Sequence, residues 1–138
     1  MKFLITTLAV ICLVQFSGCK PDSPSPQGPT KALMGSWVLQ SALVDNVDQT
    51  STYQGLTLTF TATTYTSTNG KAVWPASGTW TFVSPNGKTI KRDDGLLIDI
   101  VEISSTKLKL SFIWANTTLG GGRESSVGGQ NVFTLTKG

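Results

Sequence analysis

Between positions 56 and 66, apolar and polar side chains alternate. Leu56, Leu58, Phe60 and Tyr65 are set among Thr57, Thr59, Thr61, Thr64 and Thr66. A period of two places the apolar set on one face of a strand. The pattern returns at Trp80 and Phe82, at Leu108 to Trp114, and at Phe133 and Leu135. No stretch longer than a turn has helical period. Short β-rich runs bounded by turn residues predict eight strands, near 36–44, 55–61, 64–68, 78–84, 88–92, 96–104, 107–114 and 131–137. Their inner face is Leu56, Leu58, Phe60, Tyr65, Trp80, Phe82, Ile90, Ile98, Ile103, Leu108, Leu110, Phe112, Trp114, Phe133 and Leu135. The opposite face carries threonines and lysines. One apolar face and one wet face, joined by sequential hairpins, predict an all-β fold: an antiparallel up-and-down barrel of eight strands.

The turns fix the register. Phe82 opposite Ile90 leaves Pro85-Asn86-Gly87 as a three-residue loop. Ile90 opposite Ile98 leaves Asp93-Asp94-Gly95. Both suit a type I turn closed by a left-handed glycine. In the next hairpin, closure at Ser105-Thr106 sets Ile103 against Leu108 inside and Glu102 against Lys109 outside as an ion pair. An unbroken strand would then turn Asp99 inward and Ile98 and Ile100 outward. One extra residue near Ile100-Val101 corrects both, so a β-bulge is predicted there.

The first residues follow another rule. Lys2 precedes the apolar run Phe3 to Phe16, which ends in Ser17-Gly18-Cys19. These are the parts of a secretory signal, and the run is short of the roughly 20 residues of a membrane span. Phe-Ser-Gly-Cys resembles the bacterial lipobox, although Phe16 replaces the usual aliphatic residue. The resemblance implies cleavage after residue 18 and acylation of Cys19, with palmitate among the chains. Two acyl chains already anchor a protein stably. Lys20 to Thr30 holds four prolines and almost nothing apolar. It is expected to be a solvated tether spanning roughly 30 Å. Three segments follow: a lipoprotein signal peptide at 1–18, a lipidated Cys and Pro-rich tether at 19–30, and a barrel domain at 31–138. The anchor is expected in the cell envelope, in the outer membrane, on either its periplasmic or its surface face.

Composition narrows the chemistry. The chain has 138 residues, a formal charge of +3 and no histidine. That removes the commonest general base and metal ligand. Cys12 and Cys19 both precede the domain, which is therefore without thiols. The charge excess is small and unclustered, which argues against nucleic acid. Asp93 and Asp94 belong to a turn, and Asp99 and Glu102 face solvent, where no burial raises an acid. Serines have no histidine partner. No catalytic residue, metal site or cofactor is assigned, and an enzyme is not expected.

Lys31 to Trp37 reads KALMGSW, a Leu-containing turn followed by Gly35-Ser36-Trp37. With LTLTFTATTYT at 56–66, GTWTF at 78–82, NGKTI at 86–90 and VFTLTK at 132–137, it resembles the lipocalin-like domain of small Gram-negative lipoproteins. The resemblance covers nearly all of residues 31–138. It implies that Gly35 and Trp37 form a structural entry motif, with Trp37 plugging the closed end. It also implies a late basic residue over Trp37, for which Arg92, Arg123 and Lys137 are candidates. The departures are a short chain, no Thr-Asp-Tyr motif, no disulfide and no C-terminal helix.

Two functions follow from the interior. Phe60, Tyr65, Trp80, Phe82, Phe112 and Trp114 either line a pocket for a small apolar or amphipathic molecule or fill the barrel. An eight-stranded barrel is about wide enough for either. The first is the leading expectation and makes the protein a lipid-anchored, non-enzymatic, lipocalin-like binding module. The second is the alternative and makes it an interaction protein that docks another envelope protein or polymer through its loops. Trp74 lies in the loop 69–77, either at the rim or folded back onto the mouth. The loop 45–54 occupies a lid position. The glycine-rich loop 115–130 is long for a hairpin, and its Asn116-Thr117-Thr118 is read as a chance glycosylation match. On the lipobox reading, Cys19→Ser transfers the protein from the membrane fraction to the soluble fraction. Persistence on membranes with incorporation of a labelled fatty acid would refute it.

Overall fold

The computed structural model describes residues 28–115 and 129–138. The chain enters through a one-turn helix, α1 (Pro29–Leu33), and continues into nine strands. These are β1 (Gly35–Val44), β2 (Val47–Asp48), β3 (Thr57–Phe60), β4 (Thr64–Thr68), β5 (Ser77–Phe82), β6 (Thr89–Arg92), β7 (Leu97–Ile103), β8 (Lys107–Trp114) and β9 (Gly129–Lys137). Each strand from β3 to β8 pairs antiparallel with the next, and β1 pairs with both β3 and β9. That last pairing closes an eight-stranded up-and-down barrel, with β2 as a two-residue hairpin on the end of β1. Among the described residues no helix is long and apolar enough to cross a membrane.

The eight expected strands are the eight barrel strands, with ends shifted by a residue or two. Pro29 and Thr30, the last two residues of the expected tether, lie in α1, whose Leu33 is buried in the core. Segment 45–56 is more than a loop. It holds β2 and a 3-10 turn at Thr50–Tyr53, and Tyr53 is fully buried against Phe133. The signal segment, Cys19, most of the tether, Asn116 and Arg123 lie outside the described residues.

Turn chemistry sets the register as expected. Phe82 pairs with Ile90 and Ile90 with Ile98. Gly87 and Gly95 have φ of 65° and 89°. The β7–β8 ladder slips between Ile100 and Glu102, so Ile98 and Ile100 are buried while Asp99 and Val101 are exposed. Glu102 stands opposite Lys109, but its ion pair is with Lys107, at 3.0 Å. The correction has a geometric cause: Lys107 shares the outer face two residues away, within diagonal reach of Glu102. A second slip, between Leu39 and Ser41 in β1, had no sequence signal.

All fifteen inner-face residues are buried or partly buried; Phe82, Ile103 and Trp114 are in the second group. Leu33, Trp37, Ala42, Tyr53, Val73, Trp74 and Ile100 are the other buried residues of the core.

Gly87 and Gly95 separate two costs. A left-handed backbone costs any other L-residue about 1–2 kcal/mol. At Gly95 a Cβ would meet nothing, whereas at Gly87 it would run into Pro29 of α1. Gly95→Ala is therefore expected to lower unfolding free energy by about 1 kcal/mol. Gly87→Ala should cost clearly more, read from urea midpoints. Equal losses would remove the contact between this turn and α1 from the explanation.

Candidate functional site

The chain reversals give the barrel two unlike ends. One is closed by α1 together with the β3–β4, β5–β6 and β7–β8 turns. The other, the open end, carries the β1–β3 excursion, the β4–β5 loop and the β6–β7 turn.

At the closed end, Trp37 is fully buried and donates its indole N–H to the Leu33 carbonyl at 2.8 Å. Lys137 lies over the Trp37 ring, 4.3 Å from its centroid, and donates to the Met34 carbonyl at 2.6 Å. Of the two basic candidates among the described residues, Arg92 and Lys137, it is Lys137 that lies over Trp37. Gly35 has φ 117°, and a Cβ there would meet the end of the Lys137 side chain. The Gly-x-Trp pair is explained by this stack: glycine gives the lysine its path and tryptophan its platform.

Arg92 does something else. It points into the barrel and is 2% exposed. Its Nη1 donates to the Val73 carbonyl at 2.6 Å and its Nε to Asp94 Oδ1 at 3.2 Å. Its Nη2 closes the bidentate pair with Asp94 Oδ2. The guanidinium also faces three rings, 5.1 Å from the centroid of Trp74, 5.7 Å from Tyr65 and 5.9 Å from Trp114. A buried cation needs such an enclosure, because an unpaired one would be too costly to desolvate. The signal was present in the sequence. Arg92 follows Ile90 by two residues, so the strand period turns it inward.

Trp74 folds back completely. It is 1% exposed and makes edge-on contacts with Phe60, Tyr65, Phe112 and Phe133, at centroid separations of 6.4, 5.8, 5.8 and 6.5 Å. Its loop is tied down locally. Ser67 Oγ lies 2.8 Å from the carbonyls of both Trp74 and Pro75, and Trp74 N–H donates to the Gly70 carbonyl at 2.9 Å. A Cβ at Gly70 would collide with Trp74. Asn69 and Lys71 take left-handed φ of 57° and 55° to make the reversal.

Five of the six residues expected to line a pocket join one ring network around Trp74. Phe60 meets Tyr65, Trp74 and Trp80; Trp80 meets Phe82 at 5.1 Å; and Phe112 stacks on Phe133 at 5.5 Å. Trp114 is joined through Arg92. Tyr65 Oη, Trp74 Nε1 and Trp114 Nε1 are buried without a hydrogen-bond partner. Burial raises the Tyr65 hydroxyl above its ordinary range, against the pull of Arg92.

Hollows on the outside of the barrel are present among the described residues. One of about 570 Å³ lies beside Leu39, Asp48, Thr50 and Gln54. Another, of about 460 Å³, lies where β7 and β8 part. Their ladder stops at Asp99 opposite Ser111, so Leu97 pairs only toward β6 and Ile113 only toward β9. The hollow sits over buried Phe112, between Leu97 at 52% and Ile113 at 72% exposure.

Comparison with models of known families, with curated proteins and with solved structures returned no match.

The Arg92–Asp94 pair gives a pH signature. The Asp94 carboxyl is held below its ordinary 3.8, chiefly by the Arg92 hydrogen bonds; partial burial opposes this and the Leu96 N–H supports it. A depressed folded value stabilises above the unfolded one and is lost as pH falls through the folded one. Asp94→Asn is expected to destabilise the protein at neutral pH, with the deficit shrinking below about pH 4. Urea midpoints from pH 2 to 7 test this. A deficit independent of pH would assign the loss to the turn instead.

Proposed function

We propose that this protein is a lipid-anchored, non-enzymatic interaction module of the cell envelope. Its filled barrel is a rigid scaffold, and its open end docks another envelope protein or polymer. The observation that carries this reading is Trp74. A loop tryptophan occupies the space between four inner-face rings, where a lipocalin-style ligand would sit, and Arg92 backs it with a paired charge. The barrel resembles the lipocalin architecture while its interior favours packing over uptake. The exposed pair Leu97 and Ile113, over an outward hollow at the open end, is the apolar feature best placed for a partner. Apolar contacts at the centre of a patch, rimmed by polar groups such as Asp99, Ser111 and Gln130, are the usual anatomy of a docking site.

The small-molecule reading and this one separate in a single titration. With the barrel filled, an environment-sensitive fatty-acid probe shows no saturable binding to the wild-type protein. Trp74→Ala then acts on stability, with a loss of about 3–5 kcal/mol as expected for a buried tryptophan. Saturable micromolar binding that alters Trp80 and Trp114 emission would reinstate the ligand pocket. A photo-crosslinking residue at Ile113 should give a discrete adduct in host cells, and one at Thr79 on the outer face of β5 should not. Equal labelling at both positions would remove the open end as the docking surface.

A further inference from the structure

The two ends of the barrel differ in charge as well as in shape. At the closed end stand Lys31 on α1, Lys88 in the β5–β6 turn, Lys107 at the start of β8 and Lys137 at the end of β9. Among the described residues the acidic side chains nearest these lysines are Glu102, which is paired to Lys107, and Asp99, which stands opposite Thr89, one residue from Lys88, and accepts the Thr89 hydroxyl. At the open end stand Asp45, Asp48, Asp93 and Asp94; among the described residues Lys71 and Lys91 are the exposed cations on that side. The closed-end lysines belong to a common surface. The β5–β6 turn packs on α1 through Gly87 and Pro29. Lys31 and Lys137 share a hollow of about 470 Å³ with Ser104 and Ser105 of the β7–β8 turn. Beside Lys88, the same turn exposes Val83, at 54%, and Pro85.

The chain enters the domain at this end. Gly28 lies nine positions after Cys19, and nine residues reach at most about 32 Å when fully extended. We propose that the closed end is a membrane-facing surface, on which Lys31 and Lys88 bind the phosphates of anionic phospholipid headgroups. The inference rests on Cys19 carrying the lipid. Charge complementarity and the short covalent reach select the same face and the same occupant. A basic side chain near an anionic surface strengthens binding by about fivefold. The field decays over a Debye length, about 10 Å at 0.1 M salt. The acyl chains hold the protein on the bilayer; the lysines orient it, directing the Leu97–Ile113 surface away from the lipid.

The test uses the mature chain from residue 19 with Cys19→Ser. The described core runs from Leu33 to Leu135, so removing the signal segment takes nothing from it. Co-sedimentation is measured with phosphatidylcholine vesicles containing about a third phosphatidylglycerol, and with phosphatidylcholine alone, at low salt. The expected result is binding to the anionic vesicles only, abolished at about 0.5 M salt, where the Debye length falls to about 4 Å. Lys31→Gln with Lys88→Gln should weaken it about 25-fold. Lys71→Gln with Lys91→Gln removes the same charge from the other half and should leave it unchanged. All four side chains are exposed, and circular dichroism confirms that the variants fold. Absence of binding, or equal loss in the two double variants, overturns the proposal. Failure of the anchor is read separately, from fatty-acid labelling of the wild-type chain at Cys19.

Discussion

The architecture depends on β1 serving two neighbours at once. Its first residues pair with β3 from Gly35–Phe60 to Val38–Thr57, and its length pairs with β9 from Trp37–Lys137 to Val44–Asn131. A strand paired on one side only would leave an edge, with unpaired amides open to other chains. Closure also needs strand tilt and stagger. The slip at Gln40 supplies part of this: beyond it β1 leaves β3, stays on β9 and carries β2 outward. The gap so left is filled by the 3-10 turn, whose Tyr53 meets Phe133 edge-on at 5.0 Å, and whose Thr50 accepts the Ala42 N–H at 3.1 Å.

A closed barrel of this size then has to fill itself. Alternating strand residues cover the wall, but the axis is reached by groups from the ends. Trp37 and Leu33 come in from the closed end, and Trp74, Val73 and Arg92 from the open half. Edge-on aromatic pairs contribute about 0.5–1.5 kcal/mol each beyond their area. The guanidinium in their midst is held by a carboxylate and a carbonyl. Removing either partner of a buried pair costs more than the pair itself contributes. The polar interior therefore specifies one arrangement of the β4–β5 loop rather than adding bulk stability.

The same topology sorts function to the ends. Three reversals gather at the α1 end, where the chain enters and lysines dominate. The open end keeps the carboxylates and the part of the wall where β7 and β8 separate. The two ends differ in shape and charge, and on the proposed function this gives the molecule a direction, with the anchor at one end and the docking surface at the other.

Much of this was legible in the chain. Period two marks inside and outside for any half-buried strand, and Pro-Asn-Gly and Asp-Asp-Gly accept one kind of turn, so the walls and the hairpin register were readable. The β7 bulge was readable too, because burying Asp99 would have been prohibitive. Arg92 and Asn131 stand at inward positions by the same period, and their polarity hid them. Trp74, Tyr53 and the choice of Lys137 over Trp37 were not legible. Each joins residues remote in sequence through contacts that no local pattern encodes, and the 69–76 loop has no period that marks Trp74 as inward. The amino-acid sequence alone determined strands, turns and faces, since these follow from steric and solvation rules acting over a few residues. Only tertiary structure decided which side chains would fill the axis, because that depends on the volume left when the wall closes.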